Sequence, residues 1–395
     1  MTVAINGPVA DRPSEYGSAA YLGPVACGGV IIPTAVATAN KQYYARVGAF
    51  AADNIVNPQF IIPTYYVAST SAPTNGTELA CNSGTAPATV HFAVEYPAGT
   101  IVEATWGGST TGTIAAAANG MCDPVPISIP WGAEYWTRTY YACADGIVFA
   151  SNYPFTSGDQ YAFGVTTPDL VLSGTAAACT GNITTPVAHL AMTRKATVFL
   201  AGDSRVCGRT DTGDSSHTFG NIARSLGTAV ATINAGCTGD RALWAKANFT
   251  LRGALAAYCS HVICEYGIND LNASAQTSAQ TLASLQTFYA LSGLAGKPIW
   301  QCTVPPITTS SDSWATVANQ TVNADDADRV TFCGSVRAGT ALTRGVIDHA
   351  LVAEDTFNGG KWRAPSWTTD GAHETRFGNL AYQAAGVVQP GWFQR

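Results

Sequence analysis

From residue 197 onward, short apolar runs alternate with stretches that carry a helical stripe. No other feature of the chain limits its fold as strongly. Residues 197–201, 231–235, 261–266, 299–304 and 345–348 read as strands, the fourth stopped by Pro305 and Pro306. Between them, Phe219, Ile222, Ala223 and Leu226 recur at i, i+3, i+4 and i+7, and Gly227 closes the stripe. Further helices are expected at about 240–259, at 277–291 with Leu282, Leu285 and Tyr289 on one face, at 323–337 and at 377–388. Strands that are apolar on both faces and separated by helices predict a parallel sheet covered on each side, a three-layer α/β architecture. In such sheets the functional site lies beyond the carboxyl ends of the strands.

Residues 1–195 follow a different grammar. Residues 88–96, 100–106, 126–130 and 134–141 alternate β-branched or aromatic residues with others, and Gly, Pro and Asn mark the turns. This predicts an all-β sandwich or jelly roll, with no helix. The chain therefore divides into a β unit over 1–195, a candidate for carbohydrate binding, and an α/β unit over 196–395. The pairs Tyr65–Tyr66, Tyr135–Trp136 and Tyr140–Tyr141 can stack on sugar or can be strand residues with one face buried.

Composition narrows the partners. Charged residues are 12% and the net charge is −6, with no basic stripe, so nucleic acid is not an expected partner. Every apolar run is broken well short of about 20 residues, so no membrane span is expected. Residues 1–8 lack a basic and apolar leader pattern, and the expectation is a soluble protein, extracellular or particle-associated. The 11 cysteines form no C-x-x-C pair. Cys264 and Cys302 read as buried thiols. Cys27, Cys81, Cys122, Cys143 and Cys179 leave disulfide pairing open.

Three strand ends carry chemically loaded residues: Gly202-Asp203-Ser204, then Asn234-Ala235-Gly236, then Gly267 to Asp270. A loop before the last helix adds Asp370 and His373. A serine hydroxyl needs a base to attack a carbonyl, and neutral imidazole serves near pH 7. A carboxylate three residues earlier can fix the imidazole tautomer. Backbone N–H groups of Ser204 and Gly236, with the Asn269 amide, can receive a developing oxyanion. Glycine at 236 would let the backbone approach the substrate oxygen. Asp203 reads as structural, tying the loop to backbone N–H groups. No Gly-x-Ser-x-Gly elbow occurs.

These blocks, in this order, resemble those of the SGNH (GDSL-like) hydrolases over about residues 196–395. The resemblance implies a flavodoxin-like three-layer fold and ester hydrolysis through an acyl-enzyme. It implies Ser204 as nucleophile, His373 as base oriented by Asp370, an oxyanion hole of Ser204, Gly236 and Asn269, and no metal or other cofactor. Arg205 departs from the small or apolar residue that many members carry there. It can favour an anionic substrate or point into solvent. With His217, Trp362 and Trp367 it is a candidate substrate-binding residue, the two tryptophans forming a sugar-stacking wall or a hydrophobic clamp. His217 and His349 otherwise read as surface or loop histidines, His91 as a strand residue facing solvent or the domain interface, and Asp348 as a less well-spaced orienter than Asp370. The expected function is removal of small acyl groups, acetyl above all, from a polysaccharide. A short-chain, aryl or lipase-like esterase, and a glycan-binding phage-tail or surface protein with an inert hydrolase half, are the alternatives.

Overall fold

A computed structural model describes residues 19–27, 32–68, 75–151, 155–156, 158–183, 186–339 and 343–393. Residues 1–8, read above for a leader, lie outside the described residues.

The first half consists of antiparallel strands. A four-stranded sheet runs in the order Tyr21–Pro24, Ala188–Thr193, Gln59–Pro63, Asn119–Met121. An eight-stranded sheet is built around Glu134–Cys143 and Gln42–Ala51, paired from Glu134↔Phe50 to Ala142↔Gln42. Gln42–Ala51 was not among the expected strands, because its burial is nearly continuous and hides the period of two. The sheets meet where Phe60 packs on Phe92, ring centroids 4.8 Å apart, and where the Tyr135 hydroxyl reaches His189 Nδ1 at 2.6 Å. Tyr65, Tyr135 and Tyr141 point into the core while Tyr66, Trp136 and Tyr140 are partly exposed, so each aromatic pair has one member on each face.

The second half holds a five-stranded parallel sheet of β1 (Thr197–Ala201), β2 (Ala231–Asn234), β3 (His261–Cys264), β4 (Ile299–Cys302) and β5 (Gly345–Ile347), ordered β2-β1-β3-β4-β5. Every residue of β1 is buried, as a central strand requires. Val198 and Leu200 face a core shared with Ile222, Leu226, Trp362 and Tyr382. Phe199 and Ala201 face the opposite core, with Leu255, Leu285 and Phe288, and that same core continues into Phe60, Phe92 and Tyr135 of the first half.

The helices are α1 (Asn221–Leu226), α2 (Ala242–Ala245), α3 (Thr250–Ala256), α4 (Ile268–Leu271), α5 (Ser278–Tyr289), α6 (Asp326–Arg337), α7 (His349–Ala353) and α8 (Arg376–Ala385). α1 and α7 pack on α8, while α5 packs on α2, α4 and α6. α5 starts at a capping box made by Thr277 and Gln280, and the Thr375 side chain caps α8. The helix expected over 240–259 is two helices. Asp270 accepts from the first N–H groups of α2, Ala242 and Leu243, and Glu78 accepts from those of α3, Leu251 and Arg252. Two distant carboxylates thus start two helices where the local window showed one. No helix among the described residues is long and apolar enough to cross a membrane. All 11 cysteines are buried and unpaired, Cys264 and Cys302 fully so.

Candidate active site

The sheet order reverses direction between β1 and β3: the chain steps from β1 outward to β2, then returns to place β3 on the other side of β1. Such a switch point opens a crevice beyond the strand ends. Ser204 follows β1 there, and Asn269 follows β3.

Ser204 Oγ lies 2.7 Å from His373 Nε2, and His373 Nδ1 lies 2.7 Å from Asp370 Oδ2. The other Asp370 oxygen accepts from the N–H groups of Ala372 and His373, both at 2.9 Å. One carboxylate therefore shapes the turn and orients the ring. Burial works to raise the Asp370 pKa, but the His373 bond and charge and the two N–H donors outweigh it and hold the carboxyl well below its usual range. An ionised Asp370 keeps the proton on Nδ1, which leaves Nε2 to accept from the serine hydroxyl.

Asp203 is fully buried and accepts from the Arg205 N–H at 3.0 Å, closing the turn that carries Ser204. Burial, reinforced by Glu265 and opposed by Arg205, pushes its pKa up to about 8. Its folded pKa is above the unfolded value near 4. The stability linked to this group is therefore complete below about pH 4 and is lost as pH rises toward 8. Asp203→Asn mimics the neutral carboxyl and is expected to gain stability relative to the native chain between pH 5 and 8. Urea unfolding at both pH values checks this, and a constant difference would refute it.

The three expected oxyanion donors are not equivalent. The Ser204 N–H makes no hydrogen bond to another described residue. The Gly236 N–H donates to Asn234 Oδ1 at 2.9 Å, and Asn234 Nδ2 donates to Val206 O at 2.9 Å. Glycine is needed at 236 for a reason other than the one expected: a Cβ there would lie 2.8 Å from Cys207 N and 2.9 Å from Val206 Cγ1. The nucleophile's own turn, rather than a substrate oxygen, takes that space. Asn269 Nδ2 donates to Asp240 O at 3.0 Å and, more loosely, to Asp203 Oδ2 at 3.3 Å.

The candidate substrate-binding residues stand elsewhere. Arg205 is buried rather than pointing into solvent. Its Nε and Nη2 donate to Ala372 O at 2.9 and 2.7 Å, its guanidinium lies over Trp362 at 5.7 Å, and Glu374 is 3.9 Å away. Trp362 is fully buried and donates from Nε1 to Gly371 O at 2.9 Å. Arg205 and Trp362 thus hold the two carbonyls that precede His373. Trp367 is also buried, edge-on to Tyr382 and Phe377, so neither tryptophan offers a sugar wall. His217 is buried against the first half, between Thr156 Oγ1 and Glu134 Oε1, each at 2.7 Å. His349 is buried as well, with Nδ1 on Glu265; His217 lies in a loop as expected but is interior, while His349 opens α7 and is interior too. His91, mostly buried, is held between Asp169 and Glu103. Asp348 caps α7 and pairs with Arg337.

Sequence reasoning named Asn234 without giving it a role, and missed Glu374. The first stands at a strand end already singled out. Glu374 adjoins His373 and is buried under the Tyr382 hydroxyl at 3.0 Å. A charged residue next to a motif gives no local sign that it is buried.

No family model and no curated protein matches the chain. Over about half its length it is similar to solved structures of GDSL-type and acetylesterase proteins. One is a member of the lipolytic protein G-D-S-L family from Veillonella parvula, with 14% identity and TM-score 0.37, covering 48% of this chain and 96% of that one. A carbohydrate acetylesterase family member from Sinorhizobium meliloti has 16% identity and TM-score 0.34, covering 49% and 95%. The aryl esterase of M. smegmatis has 15% identity and TM-score 0.34, covering 49% and 96%.

Proposed function

We propose that the chain is a serine hydrolase of carboxylic esters that releases small acyl groups, acetyl above all, from a polysaccharide. The observation that carries the proposal is the continuous relay Ser204–His373–Asp370, with 2.7 Å at both links, standing at the switch point of a parallel sheet. Ser204 Oγ attacks the ester carbonyl while His373 Nε2 takes its proton. The Ser204 N–H, joined by the Asn269 amide once it gives up its longer bond to Asp203, receives the oxyanion. Collapse expels the alcohol, which leaves with the proton from His373. Water, deprotonated by the same imidazole, then cleaves the acyl-enzyme and frees the acid and Ser204.

Residues 196–395 are read as a three-layer α/β unit, supported by the two cores on opposite faces of β1. Residues 1–195 are read as a β-sandwich or jelly-roll unit, supported by the Phe60–Phe92 and Tyr135–His189 contacts between sheets. The polysaccharide reading draws on the openness of the site at the base, where the Asp370 side chain is 38% exposed, and on the partly exposed aromatics Tyr66, Trp136 and Tyr140. An open rim suits a short acyl group on a bulky carrier.

Two substrate series test this. Acetate release from acetylated polysaccharides is expected, and 4-nitrophenyl esters should be cleaved faster as acetate than with acyl chains of six or more carbons. A preference for the long chains, with no acetate from any glycan, would replace the reading with a lipase-like one.

A further inference from the structure

With Trp362 and Trp367 buried, a different tryptophan stands at the rim. After β4 the chain forms a hairpin, Thr308–Ser310 paired with Gln320–Val322, on the same edge of the sheet as the relay. Its connecting loop carries Trp314, which is only partly buried. Ser313 and Trp314 are consecutive residues at φ 56° and 58°, a left-handed conformation that is unusual for a side chain as bulky as tryptophan. The surrounding bonds fix it there. Trp314 N–H donates to Ser310 Oγ at 2.9 Å, Ser310 donates to Asp312 Oδ1 at 2.7 Å, and Asp312 Oδ2 accepts from Thr316 at 2.7 Å and Asn319 at 3.0 Å. The indole Nε1 is tied inward to Thr308 Oγ1 at 2.9 Å. The ring rests on Gly371, between Asp370 and His373: a Cβ at 371 would lie 2.6 Å from Trp314 Cζ2. The bonds around it over-determine this strained backbone, as strain stored at a functional position requires.

We propose that Trp314 is the substrate platform of this site, its indole stacking on the sugar ring that carries the ester. The inference rests on the polysaccharide reading above. A ring whose polar end is satisfied within the protein presents an apolar body, which suits the C–H face of a pyranose.

The test compares Trp314→Ala and Trp314→Phe on acetylated xylan and on 4-nitrophenyl acetate, which has no sugar. For Trp314→Ala, kcat/KM on xylan should fall about tenfold further than on the aryl ester. The excess should lie mainly in KM, and Trp314→Phe, which keeps an aromatic face, should restore most of it. Equal losses on both substrates would make Trp314 a buttress of the Asp370–His373 turn and overturn the platform. No loss on either would overturn it too. If the native enzyme cleaves the aryl ester but no acetylated glycan, the polysaccharide reading itself fails, and that is visible before any variant is made.

Discussion

Replacing Ser204 by alanine is expected to lower kcat on 4-nitrophenyl acetate by about 10⁴-fold or more, and His373→Ala by a similar factor. The hydroxyl and the imidazole act as a unit. Without Oγ there is nothing to attack, and without Nε2, 2.7 Å away, the hydroxyl keeps its proton. The double variant should therefore lose no more than either single one, because each already abolishes the same step. Folding should change little in Ser204→Ala, which removes one oxygen and leaves the Asp203 bond that closes the turn. Steady-state kinetics and urea unfolding on the same preparations separate the two effects. Turnover that survives Ser204→Ala would end the assignment.

Arg252→Met is expected to destabilise the fold by about 3–5 kcal/mol, the range seen when one member of a buried charge cluster is removed. Arg252 is fully buried. It donates to Glu78 Oε1 at 3.0 Å, to Asp240 Oδ2 at 2.5 Å and to Asn248 O at 2.9 Å. Methionine fills part of the volume but leaves the Glu78 and Asp240 carboxylates without the cation that both pair with. Glu78 belongs to the first half, so the cluster fastens Thr77–Ala80 to the start of α3. The main chain of Asp240 also holds the Asn269 amide, so activity should fall along with stability. The midpoint of urea unfolding reads the first effect and kcat the second. Glu78→Gln, which keeps one of the two accepting oxygens and the volume, should cost less than Arg252→Met. A loss below about 1 kcal/mol in Arg252→Met would show that the carboxylates find other partners.

The alternation of apolar runs with helical stripes after residue 196 was legible because a parallel strand buried on both faces leaves a continuous apolar signature, and β1 is buried at every position. Helix starts were legible where the cap is local, as at Thr277, and illegible where the cap arrives from afar, as Glu78 does at α3. The three-residue spacing of Asp370 and His373 is likewise a local relation, closed within one turn.

What the sequence by itself determined is the set of groups placed at strand ends and the short-range contacts that adjacent residues make with one another. Only the tertiary structure decided the directions in which ambiguous side chains point. Arg205 could serve a substrate or the protein, and Ala372 O and Trp362, both more than 150 positions away, settled the matter. The Gly236 N–H could face an oxyanion or a neighbour, and Asn234 took it. Trp314, Trp362 and Trp367 are the same residue type, and which of them stays partly exposed depends on what folds over each. Burial is a property of the neighbours a residue acquires, and those neighbours are set by the closure of the chain rather than by the residues beside it.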